Sequence, residues 1–230
     1  MEFTLGYLLK RSAQKFANKT AIVFRGKSTT YDELNRRVNR LANALLNLGI
    51  RQGDKLASMM FNSSELIEIY FAAAKIGAIN VPINYRLAAP EVNYIIAHSE
   101  SPTLIFDTGF RQVIETLLES NRLHLISVGE EGNPDSIRYE DLITASPDSE
   151  PNVSVSENDL RFIMYTSGTT GFPKGAMFTH KNNLWAALSI IITKKYDFKE
   201  VILVVNPLYH MNFSISTILF PIKMPAIIFI

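Results

Sequence analysis

Ten consecutive residues, Thr166-Ser167-Gly168-Thr169-Thr170-Gly171-Phe172-Pro173-Lys174-Gly175, carry the composition that polyphosphate binding demands. Gly168, Gly171 and Gly175 let the backbone take positive φ angles and approach a ligand closely, so that successive N–H groups converge on an anion. The hydroxyls of Thr166, Ser167, Thr169 and Thr170 add donors that rotate to suit phosphate oxygens. Lys174 supplies the formal charge, and Pro173 stiffens the backbone beside it. A charge-assisted hydrogen bond of this kind contributes roughly 1.5–3 kcal/mol. The stretch departs from the usual nucleotide loop, which needs Gly-Lys-Ser/Thr, because Lys174 follows Pro173 and precedes Gly175. The competing reading is a polar, glycine-rich turn between a strand and a helix. The order of all ten positions behind a buried strand favours the anion site.

The elements that must hold this loop alternate between two periods. Apolar runs of strand length separate longer stretches of helical period, the pattern of an α/β protein with a mostly parallel sheet covered by helices. Residues 5–16 read as an amphipathic helix, and 21–24 and 28–30 as strands of a hairpin around Gly26-Lys27. Thr30-Tyr31-Asp32-Glu33 is a capping box, opening a helix with Leu34, Val38, Leu41, Leu45 and Leu48 on one stripe and Gly49 at its end. Strands follow at 55–61, 78–81, 103–106 and 123–128. Helices sit between them, one capped by Ser63-Ser64 and running to Lys75, another started by Pro90 and running to about His98. Residues 129–157 are rich in Gly, Pro, Ser, Asp and Glu, with one short helix at 139–145, and read as a surface excursion. The strand 160–165 then leads into the loop, and a helix starts after Thr179, its N-cap. Residues 201–205 and 226–230 read as strands buried on both faces. The expected organisation is a lobe 1–128, the excursion 129–157 and a phosphate-loop lobe 158–230.

Composition excludes several functions. The 230 residues carry a net charge of +1, without the basic excess of a nucleic-acid surface. The absence of cysteine removes disulfides, thiolate metal sites and a cysteine nucleophile, and fits a reducing compartment. Lys10, Arg11 and Lys15 interrupt the apolar start, so no signal peptide is read and a cytoplasmic location is expected. Residues 213–230 are apolar except for Lys223, about the shortest length that crosses a bilayer. Pro221 and Pro225 argue instead for a core helix followed by a strand, without a stable membrane span.

The segment Tyr165-Thr-Ser-Gly-Thr-Thr-Gly-Phe-Pro-Lys-Gly175 resembles the signature loop of the adenylate-forming (AMP-dependent synthetase and ligase) superfamily. Three further segments agree: Ser28-Thr-Thr-Tyr-Asp-Glu-Leu34 with Gly49 and Gly53-Asp54, Ala74-Lys-Ile-Gly-Ala-Ile-Asn-Val-Pro-Ile-Asn-Tyr-Arg86, and Pro207-Leu-Tyr-His210. The run Asn80-Val-Pro-Ile-Asn-Tyr-Arg is similar to acyl-CoA ligases, where peptide-synthetase domains usually read Tyr-Val-Pro-Ile-Asp-Pro. The resemblance implies a partial N-terminal domain of the adenylate-forming fold. It further implies ATP-dependent activation of a carboxylic acid, fatty by expectation, through an acyl-adenylate to the acyl-CoA, with ATP, Mg²⁺ and CoA as cofactors. By the same resemblance, Thr166, Ser167, Gly168, Thr169, Thr170, Gly171 and Lys174 hold the β- and γ-phosphates, Mg²⁺ neutralises the same oxygens, and His210 lies beside the reacting carboxylate. His180 is given a structural role, His98 and His124 are surface or packing residues, and no metal ligand is assigned.

The family's Tyr-Gly-x-Thr-Glu segment, its Thr-Gly-Asp segment and the small C-terminal domain with its lysine do not occur in these 230 residues. The expectation is therefore an incomplete chain, inactive alone and prone to aggregate through uncovered strands. Its expected partners are ATP and the acid, with a complementing C-terminal half or self-association, and no nucleic acid. The alternatives are a non-catalytic remnant or binding module, or a fragment of a peptide-synthetase adenylation domain.

Overall fold

The structure is a computed structural model that describes residues 2–118, 123–129, 135–166, 173–195, 201–210 and 228–229. The chain opens with α1 (Leu5–Phe16), the antiparallel pair β1 (Thr20–Phe24) and β2 (Lys27–Thr30), and α2 (Tyr31–Asn47). Then come β3 (Lys55–Met59), α3 (Ser64–Ile76), β4 (Ile79–Pro82), α4 (Ala89–Ser99) and β5 (Thr103–Asp107). A 3-10 turn, Thr108–Phe110, leads to α5 (Arg111–Leu118), β6 (His124–Val128), β7 (Ile137–Arg138) and α6 (Tyr139–Ala145). The final elements are β8 (Leu160–Thr166), β9 (Lys174–Thr179), α7 (His180–Lys194), β10 (Ile202–Leu203) and β11 (Ile228–Phe229).

Seven strands form one sheet in the order β7-β6-β5-β3-β4-β8-β9, parallel throughout except for the β8–β9 pair. The β strands alternate their side chains between two cores. Leu104 and Phe106 of β5 join Ala57, Met59 and Val81 under α4 and α5, while Ile105 faces the opposite way, toward α1, α2, α3, α6 and α7. The expected α/β architecture with a mostly parallel, helix-covered sheet is thus observed. A second sheet runs β10-β11-β1-β2, with β11 parallel to both β1 and β10. Among the described residues no helix is long and apolar enough to cross a membrane. Most of the apolar segment 213–230 lies outside the described residues.

Local chemistry explains the helix boundaries. Thr30 Oγ1 accepts the Glu33 N–H at 3.2 Å, and Glu33 Oε2 accepts the Thr30 N–H at 2.8 Å, closing the capping box of α2. Gly77 ends α3 with φ 70°, the left-handed conformation that glycine adopts without a Cβ penalty. On α2, three asparagines spaced by four residues secure residues 147–150. Asn39 donates to the Asp148 carbonyl at 2.8 Å, and Asn43 to those of Pro147 and Ser149, both at 2.9 Å. Asn35 donates to Glu150 Oε1 at 3.0 Å. The buried Lys75 ammonium completes the clasp, donating to Asn35, Asn39 and Glu150 at 2.7–2.8 Å.

Two expectations are corrected. The glycine-rich stretch does not lead from a strand to a helix: its last residues, Lys174 and Gly175, open β9, a six-residue strand antiparallel to β8 that runs up to α7. Phe178 opposite Phe162 and Met177 opposite Ile163 give β9 the cross-strand pairs that stabilise it there. Residues 201–205 are not buried on both faces. Val204 is buried, but Val201, Leu203 and Val205 are 51%, 66% and 73% exposed on alternate positions, and only Ile202–Leu203 pair as strand.

Candidate functional site

The β8–β9 hairpin sets the geometry at the loop's roots. Thr166 and Lys174 are directly opposed in its register, as are Tyr165 and Gly175, so the side chains of Thr166 and Lys174 emerge on one face. A Cβ on Gly175 would come within 2.7 Å of Ile163 Cγ2 and 3.3 Å of Tyr165 Cζ. The glycine therefore serves close packing of the Tyr165 ring as well as loop conformation. Ser167, Gly168, Thr169, Thr170 and Gly171 lie outside the described residues.

His210 arrives from a turn fixed by residues far away in sequence. Asn62, just beyond β3, donates to the Asn206 carbonyl at 2.9 Å and accepts the Leu208 N–H at 2.8 Å. The Tyr70 hydroxyl donates to the Leu208 carbonyl at 3.3 Å, and burial holds that phenol above its ordinary range, so it keeps its proton. Leu208 is buried, and Tyr209 meets Tyr85 edge to face at 5.3 Å. The His210 N–H donates to the Pro207 carbonyl at 3.1 Å, leaving its ring exposed. Nothing in the local sequence marks Asn62 or Tyr70 as supports of this turn.

Thr166, Pro173 and His210 line one cavity of about 350 Å³. Its apolar wall includes Leu87, Ile95, Met164 and Phe178. The cavity opens at the carboxyl ends of β4 and β8, where parallel α/β sheets place ligands. Lys174 is exposed at the hairpin's open end and does not line the cavity. Trp185 is 61% exposed on α7 and does not line this cavity. His180 is buried at the start of α7, with Thr179 as the expected N-cap accepting the Asn182 N–H at 3.1 Å.

The described residues do not by themselves make a magnesium site. Mg²⁺ demands about six oxygens in near-octahedral array. The cavity offers Glu91, whose carboxylate already accepts the Ala88 N–H at 2.9 Å. Among the described residues no group of three His, Asp or Glu could hold a metal ion.

A mostly parallel sheet clothed by helices, with the β8–β9 hairpin beside a crevice at the carboxyl ends of its strands, defines an α/β protein. The chain belongs to the AMP-binding enzyme family, whose pattern matches residues 9–225. It is 35% identical over 206 residues to a feruloyl-CoA synthase of an Amycolatopsis species, covering 90% of this chain and 39% of that protein. It is 39% identical over 191 residues to a long-chain-fatty-acid–CoA ligase of Mycobacterium tuberculosis, covering 83% of this chain and 37% of that protein. Among solved structures, the inhibitor-bound N-terminal domain of FACL13 from Mycobacterium tuberculosis superposes with a TM-score of 0.89 at 32% identity, covering 99% of this chain and 57% of that one. The chain thus spans about two fifths of the length of the curated relatives it matches.

Proposed function

We propose that this chain is the polyphosphate-holding part of an AMP-forming acid–CoA ligase acting on an apolar, fatty carboxylic acid in the cytoplasm. In the reaction, a carboxylate oxygen attacks the α-phosphorus of ATP and pyrophosphate leaves. The thiol of CoA then displaces AMP from the acyl-adenylate. The observation that carries the reading is the convergence of Thr166 and His210 on one cavity, with Lys174 directly opposite Thr166 across the hairpin. N–H groups and hydroxyls of residues 166–171 hold the β- and γ-phosphates, and Lys174 balances their charge. His210 sits beside the carboxylate, and the wall of Leu87, Ile95, Met164 and Phe178 suits an apolar acyl group. Residues 158–230 act as the phosphate-loop lobe.

Titration calorimetry with inorganic tripolyphosphate tests the assignment. Losing one charge-assisted hydrogen bond of roughly 1.5–3 kcal/mol predicts that Lys174→Met weakens binding at least about tenfold. Equal affinity of the two proteins, or no binding by the unaltered chain, overturns it.

A further inference from the structure

We propose that His98, with Tyr94 beside it, is a positioning residue for the polyphosphate loop, tying both of its roots to α4. This rests on the phosphate reading of residues 166–174. On one side, Tyr165 Oη and His98 Nδ1 share a hydrogen bond of 2.7 Å, and their rings meet edge to face at 5.7 Å. On the other, the Tyr94 hydroxyl donates to the Pro173 carbonyl at 3.4 Å. Tyr94 and His98 are stacked on each other at 5.3 Å, so the two ties form one unit. Tyr165 immediately precedes Thr166 and Pro173 immediately precedes Lys174. The anchors therefore fall next to the two described residues that reach for phosphate.

Each partner is held where the ties need it. Burial first, and then Tyr94, raise the Tyr165 phenol above its ordinary range, so its hydroxyl stays protonated at neutral pH. A side chain at Gly175 would press on the Tyr165 ring, and none is there. Helix α4 is a firm strut because Val92, Ile95 and Ile96 are buried against the sheet and Glu91 caps its first turn. Fixing both roots holds Thr166 and Lys174 in place before ligand arrives, which lowers the ordering cost of binding.

The test is tripolyphosphate titration of the full 230-residue chain at 25 °C, with thermal melts run in parallel. His98→Phe keeps a ring to stack and loses the hydrogen bond, and Tyr165→Phe removes the same bond from the other side. Each is expected to weaken binding about three- to tenfold, the range for one net hydrogen bond. The double variant should be no weaker than either single one, because both remove one interaction. His98→Asn, with an amide atom near the place of Nδ1, should recover most of the affinity. A role in stability alone would lower the melting temperature without moving the affinity, and that result overturns the proposal. Binding that is lost in Lys174→Met yet unchanged in His98→Phe and Tyr165→Phe overturns the positioning role and leaves the phosphate reading standing. No binding by the unaltered chain overturns both.

Discussion

His180 makes the fold acid-sensitive. It is buried at the head of α7, and its Nδ1 accepts the Leu5 N–H at 3.4 Å, linking α7 to α1. Its Nε2 has no hydrogen-bond partner among the described residues. Burial first, and then the positive Arg161 guanidinium, depress its pKa from 6.5 to about 3. Between those values the unfolded chain binds a proton that the folded chain refuses, so stability falls as pH drops from 6.5 toward 3. At about 1.36 kcal/mol per pH unit the full span costs about 5 kcal/mol, comparable with the whole stability of a marginal domain. Urea unfolding at pH 7, 6, 5 and 4 should therefore show the native chain losing about 1 kcal/mol more per unit below pH 6 than His180→Asn. Asparagine keeps an acceptor for Leu5 and does not titrate, and the carboxylates common to both proteins cancel. Parallel pH profiles for the two would refute the reasoning.

Three further outcomes are expected. Lys75→Met leaves Glu150, Asn35 and Asn39 without their shared donor. It should lower the unfolding free energy by about 2–4 kcal/mol, read from urea midpoints. The Lys75 ammonium is itself depressed by burial to about 8, with Glu150 opposing the shift, so the native protein should gain stability as pH rises from 8 toward 10.5. Lys75→Met should lose that rise. Gly175→Ala puts a Cβ against Ile163 and Tyr165 and should cost about 1–3 kcal/mol in thermal or urea unfolding while weakening tripolyphosphate binding. Hydrogen exchange should find β3, β4 and β5 strongly protected and residues 201–205 fast, because Val201, Leu203 and Val205 present apolar side chains to solvent. Uniform protection across both regions would contradict that.

Elements governed by local chemistry were legible in the sequence. Thr30 and Glu33 announce α2, Gly77 closes α3, and the short helix at 139–145 lies within its expected bounds. Elements governed by distant partners were not. β9 begins Lys174-Gly175 and owes its extended form to pairing with β8, a dependence that strand propensity does not capture. Residues 201–205 have the composition of a buried strand, but burial depends on what lies over them. The eight-residue α5 was also unread; the Asp107 cap belongs to the 3-10 turn that runs straight into it. At the site, His98 carried no motif, and its tie to Tyr165 spans 67 residues. The wholly buried Arg161, stacked at 4.1 Å on the Phe162 ring and bonded to Asn183 at 3.0 Å, likewise reads in sequence as an ordinary surface cation.

The central claim, that the β8–β9 hairpin is where this chain holds polyphosphate, is tested most directly by amide NMR on ¹⁵N-labelled protein titrated with tripolyphosphate. The account predicts saturable shifts concentrated at residues 166–175, with a smaller response at His210 across the cavity. The basic residues Lys27, Arg36 and Arg40 line a separate cleft of about 380 Å³, which supplies the opposing result. Shifts gathered there, with residues 166–175 unmoved, would contradict the claim.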